Sequence, residues 1–165
     1  MSIEAQLLSV LQKAGSSPRS QRDAQSLALE LLEQLGSRDA EGAGALVVAD
    51  ATVDFGPAGT SGNFAQRGAK FFLDLIAAFP DLRMNVRSIM GDSETAVVEI
   101  TVEGTQGADF LGIHNQEKHL DLDLDQAWVI TASDGKIASI QAYWCQNQLY
   151  RRLAVKRLDQ ISITG

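Results

Sequence analysis

The chain has 165 residues, of which 45% are hydrophobic and 21% are charged. That length and composition predict one globular domain with its own core, and they exclude a disordered or fibrous protein. Fourteen basic residues against 21 acidic ones argue against nucleic acid and membranes as partners, and the single cysteine, Cys145, excludes an internal disulfide.

The first helical pattern lies at the N-terminus. Apolar residues recur at helical spacing from Ile3 to Leu11 and stop at a Gly-Ser-Ser-Pro breaker. We therefore expect a helical arm over residues 1–19 and a single domain over residues 20–165. The first ten residues lack a basic cluster, and no apolar run is long enough for a membrane helix, so the sequence predicts a cytoplasmic protein.

Three helical patterns and one short strand follow the arm. The spacing of leucines predicts a helix over Ser20–Leu35, closed by a glycine that suits a helix C-terminus. A shorter helix is predicted within Ala43–Val48 and a strand over Ala51–Phe55. A stripe of phenylalanines and leucines predicts a helix over Gly68–Phe79, which the next residue, a proline, terminates.

From Leu82 onward the apolar residues recur at every second position. This alternation covers residues 82–87, 95–103 and 120–130, and it is typical of antiparallel strands with one buried face. A turn over Ser133–Lys136 leads into a last strand over Ile137–Asn147, and Leu149–Gln160 has mixed, helix-compatible character. Helices followed by a run of strands predict an α+β domain whose helices pack on one face of a curved sheet.

A polar residue on an apolar strand face needs a partner, a water or a ligand, because leaving it unpaired costs about 1–3 kcal/mol. Gln126 is the lone polar member of the row that contains Leu124 and Trp128. On the last strand, Ala138 and Ala142 leave space beside Trp144. These positions predict either a pocket wall or small residues that relieve crowding in a bent sheet.

Other polar groups give weaker signals. The Asp121, Asp123 and Asp125 ladder has the parity of a solvated face, and His114 and His119 lack the partner spacing of a zinc site. The sequence therefore predicts no metal and no cofactor, and it predicts an inert thiol at Cys145.

Two candidate proton carriers remain. Asp54 ends a predicted strand and is either a general base or a surface carboxylate, since it points outward if Val53 and Phe55 point inward. Asp109 and His114 lie in one loop and form an acid–base pair if that loop covers the pocket. We list Asp54, Asp109, His114 and Gln126 as candidate catalytic residues.

Several segments resemble the SnoaL-like polyketide cyclases of the nuclear-transport-factor-like superfamily, which also contains the ketosteroid isomerases. These segments are Ala49–Gly56, Ala78–Leu82, Gly104–Gln106 with Asp109–Ile113, and Asp134–Ile137 with Ala142–Trp144. The resemblance spans roughly Gln25 to Val155. It implies a cone-shaped, strongly curved mixed or antiparallel sheet wrapped by N-terminal helices, as in cystatin-like α+β barrels. It also implies an apolar internal pocket and a homodimer.

The chain departs from both proton-transfer mechanisms of these relatives. Ala142 stands where the cyclases carry an acid–base Asp, and Gln126 stands where they carry a histidine. Leu31 and Phe55 align with the Tyr and Asp of the isomerases, and neither can move a proton. The resemblance implies a substrate-binding set drawn from the pocket-facing positions: Leu31, Phe55, Phe72, Gln106, Trp128, Ala142, Tyr143 and Trp144.

Two hypotheses follow. The first is a cofactor-free acid–base enzyme, of the cyclase, isomerase, dehydratase or epoxide-opening type, that acts on an apolar polyketide-, isoprenoid- or steroid-like molecule. In it Asp54 or Asp109 is the base, His114 the acid, and Gln126 a donor to a developing oxyanion. The second is a non-catalytic ligand-binding or dimerisation module that has lost the proton-handling residues.

Overall fold

A computed structural model describes residues 22–153, apart from the side chains of residues 120–123. The predicted arm over residues 1–19 therefore lies outside the described residues. Within them the α-helices are α1 (Ala24–Gly36), α2 (Ala40–Ala45), α3 (Ala69–Ala78) and α4 (Gln146–Arg152), and short 3₁₀ and π segments cover Gly56–Ala58 and Phe64–Gly68. The strands are β1 (Val47–Phe55), β2 (Thr60–Asn63), β3 (Arg83–Gly91), β4 (Thr95–Thr105), β5 (His119–Ser133) and β6 (Lys136–Trp144). In this part of the chain, no helix combines the length and hydropathy needed to cross a bilayer.

The six strands form one open sheet in the order β2-β1-β6-β5-β4-β3. Only β1 and β6 pair in parallel, and every other neighbouring pair is antiparallel. The β3–β4, β4–β5, β5–β6 and β1–β6 pairings each contain a register shift. Such shifts bend strands and increase their twist, which curves a sheet. The predicted α+β fold with a curved mixed sheet is confirmed.

Alternation along the strands places one face of the sheet in the core. The buried residues on β4 and β5 include Ala96, Val98 and Ile100 and, opposite them, Trp128 and Ile130, as their parity predicts. Leu122 and Asp123, which share this pattern, have side chains outside the described set. Ala138 is different, because the register shift between Thr131 and Ala132 leaves it without a β5 partner, so it does not continue the row of Ala142 and Trp144.

The helices cover this buried face. Asp23 accepts a hydrogen bond from the Ser26 N–H and caps the N-terminus of α1. The helix therefore begins at Ala24 and not at Ser20, the start that the leucine spacing predicted. On α3 the buried residues are Phe71, Phe72, Leu75 and Ala78, at the spacing of one helix face.

Two local elements differ from the sequence-based prediction. Val47 and Val48 belong to β1 and not to a helix, because β-branched residues fit the half-buried strand that pairs with β6. The strand β2 was not predicted, since its four residues, Thr60–Asn63, are polar or small and lie at the edge of the sheet. The turn between β5 and β6 is confirmed. Asp134 and Gly135 have φ values of 52° and 75°, as a two-residue hairpin with a type I′ turn requires.

Candidate functional site

A small cavity lies between the curved sheet and the helices. Its volume is about 20 Å³, which is room for about one water molecule. The residues that line it are Phe71, Leu75, Phe79, Met84, Val102, Phe110, Leu124, Gln126, Trp128, Trp144 and Leu149. Among the described side chains on this wall none is ionisable, and Gln126 carries the only carboxamide.

Gln126 is held in a defined orientation by the neighbouring tryptophan. The Trp128 Nε1–H donates to Gln126 Oε1 over 2.8 Å. Because an indole nitrogen can only donate, the Gln126 oxygen must face Trp128, and the Gln126 NH₂ group is the remaining donor of a side chain that lines the cavity. The sequence predicted Gln126 as the polar member of this face, and the structure places it on the cavity.

Aromatic rings form most of the remaining wall. Trp144 stacks on Phe71 with ring centroids 6.1 Å apart and an interplanar angle of 27°. The Trp144 Nε1–H donates to Gln146 Oε1 at the start of α4 over 2.7 Å, so the ring is fixed between β6 and α4. Leu149, on α4, completes this side. Both tryptophans of the chain therefore lie on the cavity.

One wall comes from the loop between β4 and β5. Phe110 is 5% exposed and packs edge-on against Phe79, with ring centroids 5.5 Å apart. On the outer side of the same loop, Asp109 Oδ2 lies 3.0 Å from His114 Nδ1, and Asp109 Oδ1 accepts from the Asn115 N–H over 2.8 Å. The Asn115 N–H, and then the His114 ring, lower the pKa of Asp109 from its ordinary value.

The structure does not bring the predicted proton carriers to the cavity. The Asp109 and His114 side chains do pair, but they are 63% and 82% exposed. Asp54 is also exposed, because Val53 and Phe55 on either side of it point into the core. None of the three lines the cavity, so of the four candidate catalytic residues only Gln126 contacts it.

The predicted substrate-binding residues divide into four groups. Trp128 and Trp144 line the cavity. Leu31, Phe55, Phe72 and Ala142 are buried in the core and do not line the cavity. Tyr143 is 52% exposed, because it lies on the opposite face of β6 from Ala142 and Trp144.

Gln106 forms the fourth group and anchors a loop. Its side chain is 1% exposed, its Nε2 donates to the Ile113 carbonyl, and its Oε1 accepts from the Gln116 N–H, each over 3.2 Å. Both ends of this buried amide are paired within the loop, and Gln106 does not line the cavity. The Gln106 side chain instead stabilises the loop that carries Phe110.

Eight lining residues were not among the predicted site residues: Phe71, Leu75, Phe79, Met84, Val102, Phe110, Leu124 and Leu149. Phe110 had a detectable signal, since it is a large apolar residue in a loop otherwise rich in polar residues and glycine. Of the described residues, no three His, Cys, Asp or Glu side chains are placed to hold a metal ion.

Comparison with known proteins identifies relatives by sequence and by fold. Residues 28–140 match the sequence profile of the family described as the SnoaL-like domain. No curated protein matches the chain. A solved structure of a proposed SnoaL-like polyketide cyclase from Jannaschia sp. CCS1 superposes with a TM-score of 0.71 at 16% identity, over 86% of this chain and 100% of that one.

Two further solved structures have the same architecture. AclR from Streptomyces galilaeus superposes with a TM-score of 0.68 at 22% identity, over 78% of this chain and 79% of that one. An LEH-like epoxide hydrolase from M. tuberculosis gives a TM-score of 0.61 at 15% identity, over 79% of this chain and 89% of that one. At these identities the likeness shows the shared cone-shaped fold.

Proposed function

This chain belongs to the SnoaL-like domain family of the nuclear-transport-factor-like superfamily, and we propose that its cavity binds a neutral, largely apolar small molecule. The resemblance inferred from the sequence is thereby confirmed at the level of the family. The observation that carries the proposal is the wall itself, which combines aromatic rings with one amide donor, Gln126, held in place by Trp128. Apolar walls with a few oriented polar groups are typical of small-molecule sites.

The charge of the ligand follows from the same wall. An ion that leaves water for an apolar cavity loses its hydration. The free-energy cost of this desolvation is large unless an opposite charge or several hydrogen bonds replace the lost water. The described lining residues offer one uncharged donor and no counter-ion. A ligand with a single hydrogen-bond acceptor, such as a ketone or an ether, can accept a hydrogen bond from the Gln126 NH₂ group.

Binding of a neutral ketone tests this proposal. We expect 2-acetonaphthone to bind at least about tenfold more tightly than 2-naphthoate, which has nearly the same shape but carries a negative charge. Isothermal titration calorimetry at neutral pH measures both affinities. Equal affinities for the two compounds, or tighter binding of the carboxylate, would contradict a site for neutral molecules.

The geometry supports binding better than proton transfer. No ionisable side chain is found among the described residues on the wall, and the acid–base alternative needs the exposed Asp109–His114 pair. One observation favours that alternative: the pair lies in the loop whose Phe110 lines the cavity. Hydrogen–deuterium exchange of the methyl protons of bound 2-acetonaphthone distinguishes the binding hypothesis from the acid–base hypothesis. Binding alone leaves their exchange with deuterium at the buffer rate, whereas an exchange that Asp109→Asn abolishes would support the enzyme.

The proposal retains the cytoplasmic location and the homodimer expected from the sequence. The homodimer has support on the outer face of the sheet, where Met90, Val97 and Val129 lie in one row across β3, β4 and β5. Met90 is 56% exposed, so this row gives a second copy an apolar contact. Sedimentation equilibrium that gives the mass of one chain at micromolar concentration would exclude the dimer.

A further inference from the structure

The cavity must enlarge to hold a ligand of two rings. Its volume of about 20 Å³ compares with roughly 300–1,000 Å³ for typical small-molecule sites. Ligand entry therefore displaces at least one wall. The wall that moves is the one whose displacement breaks the fewest hydrogen bonds and the least packing.

Phe110 is the lining residue best placed to move. The other lining residues belong to α3, α4 or strands β3–β6, or, as with Phe79, directly follow a helix. Moving any of these disturbs a helix or a strand pairing. Phe110 instead lies in the connection between β4 and β5, where its ring contacts Phe71 and Phe79.

The turn that carries Phe110 is closed by its own hydrogen bonds. The Phe110 N–H donates to the Ile113 carbonyl over 3.0 Å, and the Ile113 N–H donates back over 2.9 Å. Between them, Leu111 and Gly112 have φ values of 50° and 76°, the two left-handed residues of a tight reversing turn. Asp109 adds its bonds to His114 and Asn115 within the same loop. The turn can therefore keep its internal structure while it shifts as a unit.

The turn is attached to the rest of the domain by the buried side chains of Phe110 and Ile113 and by hydrogen bonds near the β4 end of the loop. Gln106 holds the turn from inside through the Ile113 carbonyl, and the Gly107 N–H donates to the Ala78 carbonyl at the end of α3 over 2.7 Å. Each of these hydrogen bonds involves a residue at the β4 end of the loop, and the Gln116 N–H also donates to Gln106 Oε1. A displacement of Phe110 hinged there leaves the walls made by β5 and β6 in place.

We propose that Phe110 is the specificity-determining residue of this site: its ring fills the space that a ligand takes, and its displacement sets the largest ligand admitted. This inference rests on the proposed function, because it concerns the size of the same ligand. Gln106 is a positioning residue that holds the Phe110 turn against the cavity.

Two neutral ketones of different size test the role of Phe110. Acetophenone has one ring and 2-acetonaphthone has two, and calorimetry gives the ratio of their dissociation constants. We expect Phe110→Ala to shift this ratio at least about tenfold toward the larger ketone, because the removed ring leaves room for the second one. Phe110→Leu should shift the ratio in the same direction by a smaller factor. This variant keeps the assay informative if the alanine variant unfolds.

Leu111→Ala is the matched control, since Leu111 lies in the same turn but does not line the cavity. Its ratio should equal that of the wild type. If the wild type binds the ketones and neither Phe110 variant changes the ratio, Phe110 does not set ligand size and only this inference fails. If no ketone binds to the wild type or to any variant, the proposed function fails and the inference fails with it.

Discussion

Replacing Phe72 with alanine is expected to lower the free energy of unfolding by about 3–5 kcal/mol, the usual range for a buried phenylalanine. Phe72 is 1% exposed, stacks on Trp128 at 6.3 Å and contacts Phe64 edge-on at 5.6 Å. Its ring joins α3 to the sheet behind the cavity. Removing it leaves a void that neighbouring strands and the helix can close only in part. Urea unfolding followed by circular dichroism measures the change.

The adjacent residue supplies the control for this prediction. Leu73 is 57% exposed on the other side of α3, so Leu73→Ala should change the free energy of unfolding by no more than about 0.5 kcal/mol. Both substitutions place alanine in the same helix, which keeps helix propensity comparable. Equal losses for the two variants would mean that α3 does not present Phe72 to the core.

Replacing Gln126 with methionine is expected to have two separate effects. The substitution keeps the side-chain volume close to that of glutamine but removes the acceptor of the Trp128 indole N–H, which lies on a residue that is 1% exposed. An unpaired buried donor lowers the free energy of unfolding by about 1–3 kcal/mol. The variant also loses the amide donor. We expect the wild type to prefer 2-acetonaphthone over 2-ethylnaphthalene about tenfold, and this preference should disappear in the variant.

A double variant separates these two effects. In Gln126→Met with Trp128→Phe, neither the indole donor nor its acceptor remains, so the stability loss should be smaller than the sum of the two single losses. The preference for the ketone should still be absent, because the amide is gone. A double variant that regains this preference would show that Gln126 does not contact the ligand.

The strand faces could be predicted from the sequence because alternation is a local property. Trp128 and Ile130 are buried and Gln126 reaches the cavity, as period-two parity requires. The same rule explains why Asp54 points outward between Val53 and Phe55. Where parity fails, as at Ala138, a register shift interrupts the strand, and no residue pattern near Ala138 signals that shift.

The residues that line the cavity could not all be predicted in the same way. Phe110 reaches it because the loop between β4 and β5 folds back over the sheet, and this path depends on the buried bonds of Gln106 to Ile113 and Gln116. These contacts join residues seven and ten positions apart within irregular structure, where neither helical nor strand periodicity applies. The same limit left the solvent-facing position of the Asp109–His114 pair undetermined.

The most direct test of a ligand site at Gln126 is the side-chain NH₂ signal of this residue in the ¹⁵N NMR spectrum. Titration with 2-acetonaphthone should shift that signal saturably, together with the indole N–H signals of Trp128 and Trp144, because all three groups belong to cavity residues. Gln126→Met identifies the resonance by its loss. If the ketone binds while these three signals stay unchanged, the ligand lies elsewhere on the protein and the proposed site is wrong.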